Sequence, residues 1–575
     1  VNKSKTAVPY MGRYRSVQVL MLLAVIAITG RVAFLHIWNG PFLQSEGDKR
    51  TLREDRIPAH RGIILDRNGS PLAVSTAVVS IVGNPRVLMG EKSRPRWQEL
   101  SVVLDMPFSE LKKRILRDRN KGFIYLKRQM EPDEAQKVLD LKISGVDDQP
   151  EYQRFYPAGE VTAQLVGLTD IDDKGQEGVE LALDDWLAGM PGLMQVTKDL
   201  KGHAIRESDV LKSAEPGKEV KLSIDLRLQY VAYRELLKTV QENKAAGGSL
   251  VMLDVKTGEV LAMVNQPAFN PNKRDEMNIS GVRNRAITDQ FEPGSVIKPF
   301  AVAAALESGR YTSDSRVRVA PGRLRVGKDI VKDARDYGTL DLAGILAKSS
   351  NVGMTKMALD IGPNAVISLF QRVGFGQSTG VVFPGERTGL LPVRNKWRPI
   401  ETATLSYGYG ITVTALQLAQ AYMVLANDGK AIPVSILKRD IPAESQQVIS
   451  PDVARDVMGM METVASKKGT ARRARIDGYE VAGKTGTVKK LEAGEYSSDS
   501  YISLFAGIAP ADDPRIVMVI MVDGARAGKY YGGVVAAPVF SRVASETMRV
   551  LGVPPETADE RQTVADATRK IRNEG

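Results

Sequence analysis

From Val17 to Gly30 the chain carries no charged side chain, and past Arg31 the apolar character continues through Val32, Ala33, Phe34, Leu35, His36, Ile37 and Trp38. Residues 17–38 thus match the roughly 20 residues needed to cross a bilayer, with Arg31 near one end able to snorkel. Lys3, Lys5, Arg13 and Arg15 precede the run, and the next basic residues are Lys49 and Arg50. This asymmetry points residues 1–16 toward the cytoplasm and the remainder outward. No A-x-A-like site follows the run, which favours a retained anchor over a cleaved signal peptide.

Beyond the anchor the pattern changes. Ile63-Ile64-Leu65 and Leu72-Ala73-Val74 flank Asp66-Arg67-Asn68-Gly69, whose Asn-Gly step predicts a hairpin. From Pro95 to Lys142 the spacing of Leu100, Val103, Leu104, Leu111, Ile115 and Leu116 predicts helix. The composition shifts at Pro216-Gly217. A strand-like Val220–Ile224 and a helical stretch to Asn243 follow. Two apolar runs, Ser249–Val255 and Glu259–Val264, then surround a turn at Lys256-Thr257-Gly258. Helices are predicted around Ser295–Ser308 and Leu340–Ile361. Strands are predicted at Tyr479–Thr487, Ile502–Ala509 and Ile516–Val522, with a closing helix after Pro538. Strands at both ends with helices between are the α+β pattern, assigned to residues 218–553 and preceded by a β-rich domain at 39–217. The tail, 554–575, is polar and charged and is predicted to be disordered.

A chain of 575 residues exceeds one hydrophobic core, in keeping with two folded domains. Its 79 basic and 68 acidic residues leave +11, spread without a dominating cluster, which argues against nucleic-acid binding. There is no cysteine, hence no disulfide, no thiolate nucleophile and no thiolate zinc site. The three histidines, His36, His60 and His203, all lie early, so chemistry in the C-terminal domain must find another base.

Glu292-Pro293-Gly294-Ser295-Val296-Ile297-Lys298 supplies one. Pro-Gly is a turn that puts Ser295 at a helix start, and residues i and i+3 share a helical face, bringing the Lys298 amine toward the Ser295 hydroxyl. Burial, the helix dipole and a second cation would each favour a neutral lysine able to take a proton. The same spacing occurs at Ser109/Lys112 and Ser435/Lys438. The former reads as a helix cap, and the latter lies in a strand-like run that would turn the two side chains to opposite faces.

Order distinguishes the Ser295 copy. Downstream lie Ser349-Ser350-Asn351 and then Lys484-Thr485-Gly486-Thr487 on a predicted strand. The series Ser-x-x-Lys, Ser-x-Asn, Lys-Thr-Gly marks penicillin-recognising serine acyl-transferases. Lys256-Thr257-Gly258 repeats the last element ahead of the nucleophile, in a hairpin turn, and reads as structural. From the anchor to about Val553 the chain resembles the class B penicillin-binding proteins, and among them the septal peptidoglycan D,D-transpeptidases. Arg61-Gly62, Asp66–Gly69, Arg154-Phe155-Tyr156-Pro157 and Gly175–Glu180 resemble the family's pedestal motifs, while Tyr407-Gly408-Tyr409-Gly410 and Tyr530-Tyr531-Gly532-Gly533 resemble its pocket-lining segments.

The resemblance implies an antiparallel sheet with helices, no cofactor and no metal. Ser295 would be the nucleophile and Lys298 its base, with Ser349 as proton relay, Asn351 orienting substrate and lysine, and Lys484 adding positive potential. Thr485, Gly486, Thr487, Tyr407, Tyr409 and Glu292 would contact substrate, with an oxyanion hole from the N–H groups of Ser295 and Thr487. Stem peptides and β-lactams would be the ligands, and an FtsW-like membrane glycosyltransferase and other divisome proteins the partners. The chain departs from septal members at Val488-Lys489, where Ala-Arg is usual. An elongation-type transpeptidase and a non-catalytic β-lactam-binding scaffold are the alternatives.

Overall fold

Eight consecutive buried residues at Gly247–Asp254 can be accommodated only by a strand covered on both faces, and this strand is an inner strand of the five-stranded sheet in the larger of two compact units. The computed structural model describes residues 10–198, 204–441, 443–492, 495–526, 528 and 530–555. His203 and tail residues 556–575 lie outside them. The larger unit comprises residues 61–76, 153–189 and 216 onward; the smaller comprises the residues up to 60 together with 77–152 and 190–215.

In the larger unit, helix α1 (Leu226–Glu242) leads into strands β1 (Gly247–Asp254) and β2 (Val260–Gln266). The turn between these strands carries Lys256-Thr257-Gly258, with Asp254 Oδ1 accepting from the Lys256 and Thr257 N–H groups, so this copy of the tripeptide is structural. Helices α2 (Lys298–Glu307), α3 (Leu342–Lys348), α4 (Asn351–Ile361), α5 (Ala415–Ala426) and α6 (Pro451–Ala465) follow. The chain then closes through β3 (Ala482–Glu492), β4 (Glu495–Ala509), β5 (Ile516–Asp523) and helix α7 (Ala537–Leu551). The sheet order is β2-β1-β5-β4-β3, antiparallel throughout.

Position 248 of β1 faces Leu236 of α1, and Met252 faces Thr547 of α7, so alternate residues of β1 meet these two amphipathic helices. Helix α5, apolar and buried all round, also packs against β1, β4 and β5, as expected of a helix inside a larger core. The sheet thus presents β3 as an edge strand whose outer backbone groups lie free of the ladder.

The early motifs of the larger unit converge on one buried carboxylate. Glu180 accepts from Arg61 Nε at 2.7 Å and Arg154 Nε at 2.6 Å, with all three side chains fully buried. Arg61 also donates to the Asp173 carbonyl at 2.9 Å and pairs with Asp184 at 2.7 Å. Burial pushes the Asp173 carboxyl up to about 6. The Asn-Gly hairpin forms as predicted, with Gly69 at φ 89° and Asp66 Oδ1 accepting from the Asn68 and Ser70 N–H groups.

The smaller unit has its own core around Leu100, Leu111, Ile115, Leu126 and Val138, and an antiparallel sheet of Leu52–Ile57, Gly192–Lys198 and Ala204–Lys212. The predicted helical stretch 95–142 breaks up into Trp97–Val103, Phe108–Arg117 and Pro132–Leu139, with strand Ile124–Met130 inserted. Alternation in Ile124-Tyr125-Leu126 is a period-2 signal that a helical reading of the whole window hides. Ser109 lies inside its helix; Pro107, not Ser109, occupies the cap position. At the N-terminus, Met11–Trp38 forms one helix of 28 residues, long and apolar enough to cross a membrane.

Candidate active site

The segment before α2 reaches the site through a tight turn. Gly294 takes φ 54°, and a Cβ there would lie 2.4 Å from Val488 Cγ2, so only glycine fits between the turn and β3. A single 3-10 turn, Gly294–Ile297, then feeds α2, whose first residue is Lys298. Lys298 is fully buried, whereas Ser295 keeps partial exposure. Buried Val488 is the residue wedged against Gly294, which gives this departure from the septal pattern a packing role.

The predicted helix 340–361 is interrupted at the residues that matter. Ser349 ends α3 in the left-handed region, φ 55° and ψ 42°, and Ser350 caps α4, accepting from the Gly353 N–H at 2.9 Å. A non-glycine residue held at positive φ is strained, and such strain concentrates at functional positions. Here it turns the Ser349 side chain into the cleft while Asn351 starts the next helix.

The three segments meet at Ser349 Oγ. This hydroxyl donates to Ser295 Oγ at 3.0 Å and accepts from Lys298 Nζ and Lys484 Nζ, each at 3.1 Å. Lys298 Nζ further donates to the Ser349 carbonyl and to Asn351 Oδ1, both at 2.7 Å. The Ser295 hydroxyl therefore connects to Lys298 through Ser349, where the i, i+3 argument had pictured the pair alone.

The electrostatics support a neutral Lys298. Burial, and then the charge of Lys484, push its pKa well below the lysine range, with Asp333 opposing. Burial also brings Lys484 down to about 7. A neutral amine has two N–H groups and one lone pair. The carbonyl oxygens of Ser349 and Asn351 can only accept, so they occupy both N–H groups and leave the lone pair toward Ser349 Oγ. Reorienting the hydroxyl hydrogens then gives a continuous path from Ser295 through Ser349 to the Lys298 lone pair.

Edge strand β3 forms the other wall. Thr485 Oγ1 donates to Thr470 Oγ1 at 3.1 Å, and Thr487 Oγ1 accepts from the Gly532 N–H at 3.0 Å. A Cβ on Gly486 would press on Val296 and Leu504, and one on Gly532 would lie 2.3 Å from the Gly486 carbonyl, so both glycines permit close approach. Tyr407 and Tyr409 meet edge to face at 6.0 Å, and Tyr409 meets Tyr496 at 5.8 Å. Glu292 accepts from the Gly410 N–H at 2.8 Å and from Tyr496 Oη at 3.0 Å, and burial raises its pKa.

The competing copies do not assemble a site. Ser435 Oγ donates to the Leu437 carbonyl while Lys438 Nζ donates to the Arg67 carbonyl. Among the described residues, no group of three or more His, Asp or Glu side chains is arranged to hold a metal ion.

Sequence reasoning missed Asp333, Thr470 and Tyr496. Asp333 Oδ1 accepts from the Asn351 and Val352 N–H groups at 2.6 and 3.0 Å, and Oδ2 from Ser350 Oγ at 2.5 Å, fixing the start of α4. Its only trace in the sequence is an aspartate in a charged hairpin, indistinguishable from its neighbours Asp329 and Asp336.

Comparison with known proteins identifies the family. Residues 248–545 match the penicillin binding protein transpeptidase domain, and residues 56–222 match the penicillin-binding protein dimerisation domain. The chain is 43% identical over 555 residues to a probable peptidoglycan D,D-transpeptidase, PbpC, of Pseudomonas aeruginosa, covering 96% of this chain and 98% of the relative. It is 42% identical over 558 residues to the peptidoglycan D,D-transpeptidase FtsI of Escherichia coli, covering 96% and 94% respectively. Among solved structures, penicillin-binding protein 3 of Mycobacterium tuberculosis complexed with aztreonam superposes with a TM-score of 0.68 at 29% identity, over 88% of this chain and 98% of that one. The transpeptidase domain of Burkholderia pseudomallei penicillin-binding protein 3 gives 0.54 at 40% identity, over 58% and 98%. With the Ser295 turn, the strained serine and the lysine-threonine edge strand in one cleft, and with both domain matches in order, the chain belongs to the penicillin-binding proteins, as a class B member with a dimerisation domain and a transpeptidase domain.

Proposed function

We propose that this chain is a peptidoglycan D,D-transpeptidase that cross-links stem peptides through a serine acyl-enzyme and is acylated by β-lactams. The observation that carries the proposal is Ser349 Oγ, within 3.1 Å of both lysines and 3.0 Å of Ser295. In the first half-reaction Ser295 Oγ attacks the carbonyl of the penultimate D-Ala, and its proton passes by way of Ser349 to neutral Lys298. The N–H groups of Ser295 and Thr487 hold the oxyanion. The tetrahedral intermediate collapses with breakage of the C–N bond, and the proton held by Lys298 returns through Ser349 to the departing D-Ala amine. Asn351 orients the peptide and Lys298, Lys484 adds positive potential, and Thr485 and Thr487 hold the terminal carboxylate beside Gly486. Tyr407, Tyr409 and Glu292 line the cleft. An amine of a second stem peptide then attacks the ester, giving its proton to the same relay and restoring Ser295.

Residues 17–38 serve as a single-pass anchor in the cytoplasmic membrane, with the N-terminus in the cytoplasm and residues 39–217 and 218–553 forming pedestal and catalytic domains outside it. The FtsI relative supports a septal role beside an FtsW-like glycosyltransferase and other divisome proteins. Fluorescent penicillin followed by intact mass measurement tests the chemistry. One adduct per wild-type chain and none on Ser295→Ala is the expected result; an adduct on the variant refutes Ser295 as nucleophile. Release of D-Ala from a stem pentapeptide, with transfer to an added amine, separates a transpeptidase from a scaffold that is only acylated.

A further inference from the structure

The turn that carries Ser295 also carries a carboxylate without a counter-ion. Glu292 stands three residues before Ser295, and the turn between them is gripped from two sides: the Gly294 N–H donates to the Gly408 carbonyl at 3.0 Å, and Val488 of β3 fills the space where a Gly294 Cβ would stand. Glu292 is half-buried there. Its carboxylate accepts from the Gly410 N–H at 2.8 Å and from Tyr496 Oη at 3.0 Å. A carboxylate has about four acceptor positions, so two donors leave it half satisfied. Among the described residues Glu292 is in no ion pair, and those two hydrogen bonds alone oppose the burial that raises its pKa. Lys298 and Lys484 are engaged elsewhere, at Ser349. Tyrosine rings stand around the carboxylate: Tyr496 meets Tyr409 edge to face at 5.8 Å, and Tyr409 meets Tyr407 at 6.0 Å. A half-buried anion costs free energy until a cation joins it. One flanked by aromatic rings is suited to an ammonium group, drawn by the charge of the carboxylate and by the negative faces of the rings.

We propose that Glu292, with the Tyr409 and Tyr496 rings, docks the ammonium group of the acceptor stem peptide beside the Ser295 ester; the proposal rests on the transpeptidase reading above and gives the second peptide a site of its own. The donor ends in a carboxylate, held at Thr485 and Thr487, whereas the peptide that attacks arrives with a primary amine, protonated near neutral pH. Opposite charges thus sort the two peptides to different docking groups. On leaving Glu292 the ammonium gives up one proton to water. The amine then forms the C–N bond to the ester carbonyl while the C–O bond to Ser295 breaks, and its second proton returns through Ser349 to Ser295 Oγ. The products are the amide, free Ser295 and one released proton, which balances the step.

The test uses the full chain in detergent with a stem pentapeptide donor acetylated on every amine, and two acceptors: a stem tetrapeptide whose side-chain amine alone is free, and methoxyamine, which is uncharged near neutral pH. The readout is the ratio of transfer product to hydrolysis product. Both come from one acyl-enzyme, so any change in acylation rate cancels. In Glu292→Gln the ratio for subsaturating tetrapeptide is expected to fall about tenfold, the worth of a hydrogen bond to a charged group, while the ratio for methoxyamine holds. Thermal unfolding reports whether the variant folds. If it does not, Tyr496→Leu, a change at a half-exposed ring, is expected to lower the tetrapeptide ratio about two- to fivefold, again with methoxyamine unaffected. Equal falls for both acceptors, or an unchanged tetrapeptide ratio in a folded variant, overturn the proposal. If the wild type transfers to neither acceptor, the transpeptidase reading fails instead. Equilibrium binding of the tetrapeptide and its fully acetylated form to the penicillin-treated chain then decides: a preference for the free amine that is lost in Glu292→Gln or Tyr496→Leu upholds the docking site, and equal binding overturns it.

Discussion

Asp333→Asn separates two things that one carboxylate does. Its Oδ1 accepts two backbone N–H bonds at the start of α4 and its Oδ2 accepts the Ser350 hydroxyl. In the asparagine variant the two N–H bonds persist on a neutral acceptor, a loss of about 1 kcal/mol each, and the hydroxyl loses its acceptor, about 1 kcal/mol more. Removing a negative charge from a helix N-terminus adds a few tenths. The expected destabilisation is about 3 kcal/mol, seen as a fall of several degrees in Tm. The second effect has a definite sign. Asp333 is the charge that opposes the lowering of the Lys298 pKa. Without it the protonated amine is less favoured, Lys298 becomes neutral at lower pH, and the acid limb of the acylation profile moves downward. Because Asn351 is held less firmly, the plateau falls while the limb moves outward. Stopped-flow acylation by a chromogenic cephalosporin across pH measures both. An acid limb that stays in place or moves upward refutes the electrostatic part, and an unchanged Tm refutes the structural part.

Three further substitutions probe other contacts. Ser349→Gly relieves the strained φ of 55° while deleting the relay, so acylation is expected to fall by about 10²–10⁴ with no loss of Tm; a fall in Tm would show that the hydroxyl network stabilises more than the strain costs. Lys484, brought down to about 7 by burial, loses its charge as pH rises through that value, so the wild-type acylation rate is expected to show an alkaline limb there. Lys484→Arg keeps the charge and is expected to lose that limb in a pH–rate profile, at a reduced maximum. Glu180→Gln leaves buried Arg154 without its paired carboxylate and Arg61 with Asp184 alone, and is expected to cost about 3–5 kcal/mol by denaturant unfolding, with Ser295 still reactive in the remaining folded protein.

What the sequence made legible was what is local or ordered along the chain. Ser295 and Lys298 share one turn, Lys484 to Thr487 alternate along one strand, and the order of the three motifs distinguished them from Ser435/Lys438 and Lys256-Thr257-Gly258. The break at Ser349 was invisible because the apolar spacing of α3 and α4 is nearly continuous, and nothing in Ser-Ser-Asn announces a left-handed residue. Asp333, Thr470 and Tyr496 act through contacts with residues 15 to 204 positions away, on Asn351, Thr485 and Glu292. Such pairings exist only once the chain has folded. The convergence of Arg61, Arg154 and Glu180 belongs to the same class: each was visible as part of a motif, but their shared carboxylate was not.

The central claim is that Lys298 is an uncharged amine whose lone pair faces Ser349. Labelling the chain with lysine enriched in 15N at Nζ, and assigning the Lys298 signal by its loss in Lys298→Arg, reads that charge directly. The shift of a neutral amine is expected near neutral pH in the free protein, and again after penicillin acylation, because the proton taken from Ser295 has by then passed through Ser349 to the opened β-lactam nitrogen. An ammonium signal for Lys298 in the free protein throughout the pH range of acylation would contradict it.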